Sequence, residues 1–286
     1  MSDPATPPQI FDRALLQKRR TRSAATVMRA SFLHERAMAD IVDRLETTTR
    51  SFDKAIFYGG YGFTGAVTKR CGIGNIFHGD LSSARIPEGG FAGDEERWPI
   101  ASQSVDLVIS LLTLHYANDL VGALAQMRSS LKPDGLFIAA LFGEDTLRAL
   151  REALYDAETK VKGGVSPRVA PFANVRDLGG AMQRAGFAMP VADLDRMLVH
   201  YQNPKRLLED LRNMGEASIL YRRGSAMSRE LLEETAEGLA KRSDDIAFDI
   251  VYLTGWAPHH AQPKPLAPGS ANKSMAEAVM SKINKP

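Results

Sequence analysis

The chain has 286 residues, 44% of them apolar, and its 36 Lys and Arg nearly balance 34 Asp and Glu to leave a formal net charge of +2. That is apolar enough for a sizeable core, and too near neutrality for a general nucleic-acid binder. The single cysteine, Cys71, excludes a disulfide framework or a cysteine metal cluster within the chain and points to a reduced structural thiol.

The first residues, MSDPATPPQ, lack the apolar core of a signal peptide, and the longest apolar run, around VDLVISLLTL, is too short to span a bilayer. The expectation is a cytoplasmic chain without a transmembrane segment. Five segments are expected: a basic helical arm over 1–50, a core over 51–201, a helical insertion over 202–246, a last core strand over 247–257 and an irregular tail over 258–286. The arm carries Arg13, Lys18, Arg19, Arg20, Arg22 and Arg29. Such a run reads as a solvated helix or as a clamp for an acidic partner or a membrane surface.

Apolar residues at helical spacing (Leu33, Ala37, Ile41, Leu45) predict an amphipathic helix from Phe32 to Leu45. KAIFY predicts a strand, followed by a glycine turn and a short helix over Ala66–Arg70. NIFHGD, ending in Asp80, predicts a second strand, and VDLVISLL a strand buried on both faces. Asp119 should cap the helix of DLVGALAQMRSSL, KPDG should turn the chain, and LFIAALF should form the next strand. A helix should then start in EDTLRALREALYDAE, capped by Asp145 or Thr146. NVRDLGGAMQRAGF predicts a helix ending at Gly186, and DRMLVHY and FDIVYLTGWA predict strands flanking a helical stretch from Pro204 to Arg242. This alternation predicts a doubly wound α/β sheet, mostly parallel, with helices on both faces.

Gly60, Gly62 and Gly65 fit G-x-G-x-x-G, and Asp80 stands twenty residues after Gly60. Glycines there allow a tight turn and close approach of backbone N–H groups, and a carboxylate at the next strand end can accept from two ribose hydroxyls. The geometry suits either a dinucleotide or an adenosyl cofactor, and a plain strand-to-helix turn has the same pattern. GGYGFTG alone even resembles the loop of saccharopine-reductase-like dehydrogenases, which leaves a nicotinamide-dependent reductase open.

The run from AGDEERWPI through LLTLHYANDL to LKPDGLFIAALFGEDTL resembles the class I S-adenosylmethionine-dependent methyltransferases. That resemblance implies a seven-stranded Rossmann-like sheet and S-adenosyl-L-methionine as cofactor. It places the cofactor against Gly59, Gly60, Gly62 and Asp80, the adenine beside Asp94 and Glu95, and Ser110, Leu111 and Leu112 along the other side. Phe57 stands where such enzymes carry an acid that supports the amino group of the methionine moiety; losing that charge-assisted bond costs about 1.5–3 kcal/mol.

The blocks LHYANDL, LKPDGLFIAALFGEDTLRALR, AETKVKGGVSPRVAPFANVRDLGGAMQRAGF, EDLRNMGEAS, YLTGWAPH and PGSANKS resemble the NADH:ubiquinone oxidoreductase complex assembly factor 5 family. That resemblance implies a protein-modifying enzyme: the family's mitochondrial member is associated with hydroxylation of an arginine in a respiratory complex I subunit during assembly. It leaves two alternatives: a catalytically degenerate assembly factor, and a small-molecule carboxyl methyltransferase like the malonyl-carrier-protein enzyme, a close relative by pattern.

His115 and Tyr116, at the substrate edge of such folds, are the candidate catalytic residues, His115 as a general base; the competing reading of His115 is packing. Arg168, in GGVSPRVAPF, is a candidate for holding an acidic substrate group, and its loop for a fixed lid. His200, Tyr201, His259 and His260 form no compact ligand pattern, so no metal site is expected. Met214 and Gly215 read as core and helix cap.

Overall fold

The structure is a computed structural model; it describes residues 8–63, 65, 67, 71–242 and 245–262. Seven strands form one sheet: β1 (Phe52–Tyr58), β2 (Ile73–Asp80), β3 (Phe91–Ala92), β4 (Val105–Leu111), β5 (Leu131–Phe142), β6 (Ala188–His200) and β7 (Asp245–Trp256). Their order is β3-β2-β1-β4-β5-β7-β6. β1 through β5 pair in parallel, and β7 runs antiparallel to both β5 and β6. The expected doubly wound α/β architecture is the one observed.

The period-two alternation of the central strands sends side chains to two apolar layers. Phe57, Leu107, Ile109, Leu136 and Ile138 meet helix α2 (Phe32–Glu46), the Arg148–Lys162 helix and the insertion helix Pro204–Met214. Tyr58, Val108, Phe137 and Leu253 meet the Leu120–Ser130 and Val175–Arg184 helices on the other face. A third, smaller cluster joins helix α1 (Arg13–Ser23) to the site region through Phe11, Leu16, Leu81, Tyr116 and Ile219.

The cap at Asp119 forms as expected, accepting from the N–H of Gly122, and Asn174 caps the Val175–Arg184 helix by accepting from the N–H of Asp177. Two local expectations fail. KPDG does not end an element: it is an excursion within β5, with Asp134 at φ +67° and a register shift against β4. The helix after β5 starts only at Arg148, without a side-chain cap. The reason is tertiary: Thr146 Oγ1 donates to Asp249 O and accepts from Asp249 N, tying it to β7, while Asp145 pairs with Arg196 at 2.6 Å. The helix expected over Ala66–Arg70 falls largely outside the described residues, as does the tail beyond Gln262. No described helix is long and apolar enough to cross a membrane.

Candidate cofactor and active site

The sheet order reverses direction between β1 and β4, and the carboxyl ends of adjacent parallel strands open a crevice at such a point. The turn after β1 begins at Gly59, whose φ of +82° is left-handed and whose N–H donates to Gly79 O at 2.9 Å. A Cβ there would lie 2.6 Å from Leu111 O, so only glycine lets the turn approach the end of β4. At Gly60 a Cβ would sit 2.1 Å from Cζ of Phe57. The Phe57 ring thus fills the space beneath the turn, on the α2 face of the sheet. Gly62 is exposed and lies beside Met28.

Asp80 ends β2 and is buried, its Oδ1 accepting from Ser82 N at 2.9 Å. The acidic turn after β3 is fixed by three contacts. Asp94 bridges Arg97, Tyr58 Oη donates to Gly93 O at 2.7 Å, and Trp98 Nε1 donates to Ser130 Oγ at 3.2 Å. Ser110, at the end of β4, shares a 2.8 Å hydrogen bond with Thr113. Leu112 follows with φ +49° and donates its N–H to Ala140 O. Asp80, Glu95, Ser110 and Leu112 are all buried beyond the carboxyl ends of β2, β3 and β4, with Asp94 more exposed.

The basic arm does something its sequence did not indicate. Arg13 donates to Asp94 Oδ1 at 2.6 Å and also to Glu95. Arg20 is buried with its Nη1 3.6 Å from Asp80 Oδ2, and Nη2 donates to Leu112 O at 3.4 Å. Burial works against the Arg20 cation, but the fields of Asp80 and Glu95 outweigh it and raise its pKa. Lys18, Arg22 and Arg29 stay exposed.

His115 and Tyr116 lie on a short 3₁₀ turn after β4 and are both buried. His115 Nδ1 accepts from Phe142 N at 3.5 Å, so Nε2 carries the hydrogen it shares with Glu216 at 3.1 Å. Both ring nitrogens are engaged, and a base role would require that pair to open. Glu216, from the insertion, was not singled out in the sequence, since a hundred residues separate it from His115. Burial would raise its carboxyl, but His115 and then Arg20 outweigh that and hold its pKa down. Phe172 of the 163–172 loop lies edge-on to His115 and tilted against Tyr116 and Phe142. Arg168 in that loop is not available to a substrate: it pairs with buried Glu158 at 2.6 Å. Among the described residues no group of His, Cys, Asp and Glu is arranged to hold a metal ion; His200 pairs with Asp245 and Tyr201 with Asp210.

Residues 60–139 match a family model described as a methyltransferase domain. The chain is 37% identical, over 292 aligned positions, to human "Arginine-hydroxylase NDUFAF5, mitochondrial", covering 96% of this chain and 84% of that one. It is 32% identical to "Malonyl-[acyl-carrier protein] O-methyltransferase" of Xylella fastidiosa (strain M23), over 58% of this chain and 56% of that one. Of the solved structures, the YcgJ protein of Bacillus subtilis superposes with a TM-score of 0.54 at 12% identity, covering 79% of this chain and 100% of that one. On the human relative's identity and coverage, the chain belongs to the NADH:ubiquinone oxidoreductase complex assembly factor 5 (NDUFAF5) family, built on a class I methyltransferase fold.

Proposed function

We propose that this chain binds S-adenosyl-L-methionine and modifies an arginine of a protein partner, a subunit of the respiratory complex I under assembly. What supports the cofactor reading is the sheet's reversal of order between β1 and β4, with the left-handed Gly59 after β1, buried Asp80 ending β2 and buried Glu95 after β3 as acceptors. Glu95 Oε1 is buried without a hydrogen-bond partner, which suits an adenine amino donor. Asp80 would accept from ribose hydroxyls, and the left-handed Gly59 brings the turn close to the end of β4. When bound, this cofactor supplies an activated methyl group and an adenosyl anchor. The protein's own part is to orient the ligand through Asp80 and Glu95, and to keep water from the crevice with Phe172, Tyr116 and the arm. His115 and Tyr116 are the residues nearest the substrate side, with Glu216 fixing the His115 tautomer.

The arginine target is the part that family membership supports, through the activity in the human relative's name. The reading includes the cytoplasmic location expected from the absence of a signal-peptide core and a bilayer-spanning run; the human relative is named as mitochondrial. A second reading, an assembly factor without turnover, is favoured by Phe57 in place of the motif acid and by the arm arginines lying against Asp80 and Asp94. The malonyl-carrier-protein relative supports carboxyl methylation instead.

One comparison separates the three: mass spectrometry of complex I subunits from cells with and without the chain. Loss of an arginine modification on its deletion supports the first reading. An unchanged pattern, with complex I subunits still co-purifying, supports the second. Methyl transfer from labelled cofactor to a malonyl thioester supports the third.

A further inference from the structure

An open cavity of about 570 Å³ lies beyond the carboxyl end of β6, its lining including Phe32, Val199, Tyr201, Arg206, Glu209 and Asp210. β6 is parallel to β4 and β5, since β5 and β6 both run antiparallel to β7. The cavity therefore opens on the same edge of the sheet as His115, which follows β4. Asp210, on the Pro204–Met214 helix, is 7% exposed, and its Oδ1 has no hydrogen-bond partner. Oδ2 accepts one bond, from Tyr201 Oη at 3.2 Å. A carboxylate so enclosed and so thinly bonded is costly without a well-placed cation.

Arg206 meets that need only in part. Its Nε stands 3.4 Å from Asp210 Oδ1, an ionic contact, while Nη1 donates to Glu209 Oε2 at 3.3 Å. Its side chain is 58% exposed and lies in the first turn of its helix, where the dipole opposes a cation. It also precedes both acids along the helix, the weaker order for such pairs. What Arg206 does show is the fit. Two carboxylates, one buried and one at the mouth, are spaced so that a single guanidinium meets both. The walls suit the same group, because a guanidinium stacks on aromatic faces such as Phe32 and Tyr201 as well as pairing with carboxylates.

We infer that this cavity receives an arginine side chain of the partner protein, with Asp210 as its buried anchor, Glu209 at the mouth and Arg206 as the residue that gives way. The inference rests on the protein-partner reading above and names a contact beyond the modified residue. The exchange strands no charge: the incoming guanidinium takes Asp210, and Arg206 turns into the solvent that already surrounds much of it. Asp210 stands six residues before Glu216, about 9 Å at a helical rise of about 1.5 Å per residue, and Glu216 bonds His115. An extended chain covers that span with about three residues, so one short segment of a partner reaches both the cavity and the His115 side.

The test is an NMR titration of the isotope-labelled full chain, without cofactor, using acetyl-arginine amide and its uncharged isostere acetyl-citrulline amide. The arginine probe is expected to bind about tenfold tighter. Arg206→Gln removes the competitor and should tighten that probe by about threefold. Arg229→Gln removes the same charge from an exposed position and should leave it within about twofold. Asp210→Asn, nearly isosteric, should abolish the preference for arginine over citrulline; if that variant does not fold, the two arginine variants decide alone. Equal affinity of the wild type for the two probes overturns the inference. So does a preference that survives Asp210→Asn, which would put the guanidinium elsewhere. So does an equal response to Arg206→Gln and Arg229→Gln, which would make the effect one of overall charge. Free arginine should bind no tighter than the blocked amide, and a clear preference for it would assign the cavity to the amino acid instead of a protein and overturn the inference as well. No cofactor is added and no modification is read, so these outcomes stand apart from whether the chain modifies its partner, which the mass spectrometry decides.

Discussion

His34 on α2 shows how strongly a buried side chain can couple this fold to pH. Its ring stacks on Phe63 with centroids 5.0 Å apart, and its Nδ1 has no hydrogen-bond partner. Burial, and then repulsion from Arg85, holds its pKa down at about 3. In the unfolded chain a histidine titrates near 6.5, so on acidification the unfolded state takes the proton first. The contribution to stability is thus complete above about pH 6.5 and is lost toward pH 3, at about 1.4 kcal/mol per pH unit. Denaturant melts at pH 7 and pH 5 check this: His34→Phe should lose less stability between them than the wild type, and equal losses would assign the acid sensitivity to other groups. Gly215 is a second sensitive position. Its φ is +88°, and a Cβ would lie 2.6 Å from Ser23 Oγ and 2.9 Å from Arg85 Nη2. Gly215→Ala should therefore cost about 1–3 kcal/mol in a urea melt. It should also loosen α1, because the atoms it displaces are those that pin the helix.

Among the elements, the Arg148–Lys162 helix and the 163–172 loop form a unit held by one carboxylate. Glu158 is buried and accepts from Ser166 N, Ser166 Oγ and Arg168. Burial works against its charge, but these donors prevail and keep its pKa below the usual range. Glu158→Gln should destabilise by about 3 kcal/mol, because Arg168 is left enclosed without its partner. Limited proteolysis should then cut within 163–172 before elsewhere; a loop as resistant as in the wild type would show that Phe172 alone holds it down. These elements also show where sequence is readable. VDLVISLL and LFIAALF announce buried strands because a strand covered on both faces needs apolar side chains in both directions. α1 hides its role because its inner stripe of Leu16, Arg20 and Ser23 looks like any solvated basic helix. Its acidic partners Asp80, Asp94 and Glu95 are distant in sequence and meet it only through the tertiary fold. The Glu216–His115 pair was invisible for the same reason. Asp80, by contrast, was legible because its position at a strand end follows directly from the spacing to the glycine turn.

At the scale of the molecule, the sheet order makes the C-terminal strand indispensable to residues far earlier in the chain. Among the described residues β6 pairs with β7 alone, along almost its whole length, and β7 is also the antiparallel neighbour of β5. A fragment of residues 1–201 would keep the glycine turn, Asp80 and the acidic turn, but its β6 would have no ladder partner. β5 would become an open edge whose apolar residues Phe137, Ala139 and Leu141 lose Val251 and Leu253 from their shared core. The fragment would also lack Glu216 and Met214 O, the partners of His115 and Arg85. A long unpaired edge with exposed apolar side chains favours association over folding. We therefore expect the 1–201 fragment to show no cooperative urea transition and to bind a hydrophobic dye, whereas a 1–262 fragment should melt in one transition. A cooperative melt of 1–201 would mean that β1 to β5 and their helices are stable without β7. The 202–246 insertion would then be an attachment to the cofactor core. If the prediction holds, the segment between β6 and β7 completes both the sheet and the surroundings of His115, since it supplies Glu216 and the return path to the strand between β5 and β6.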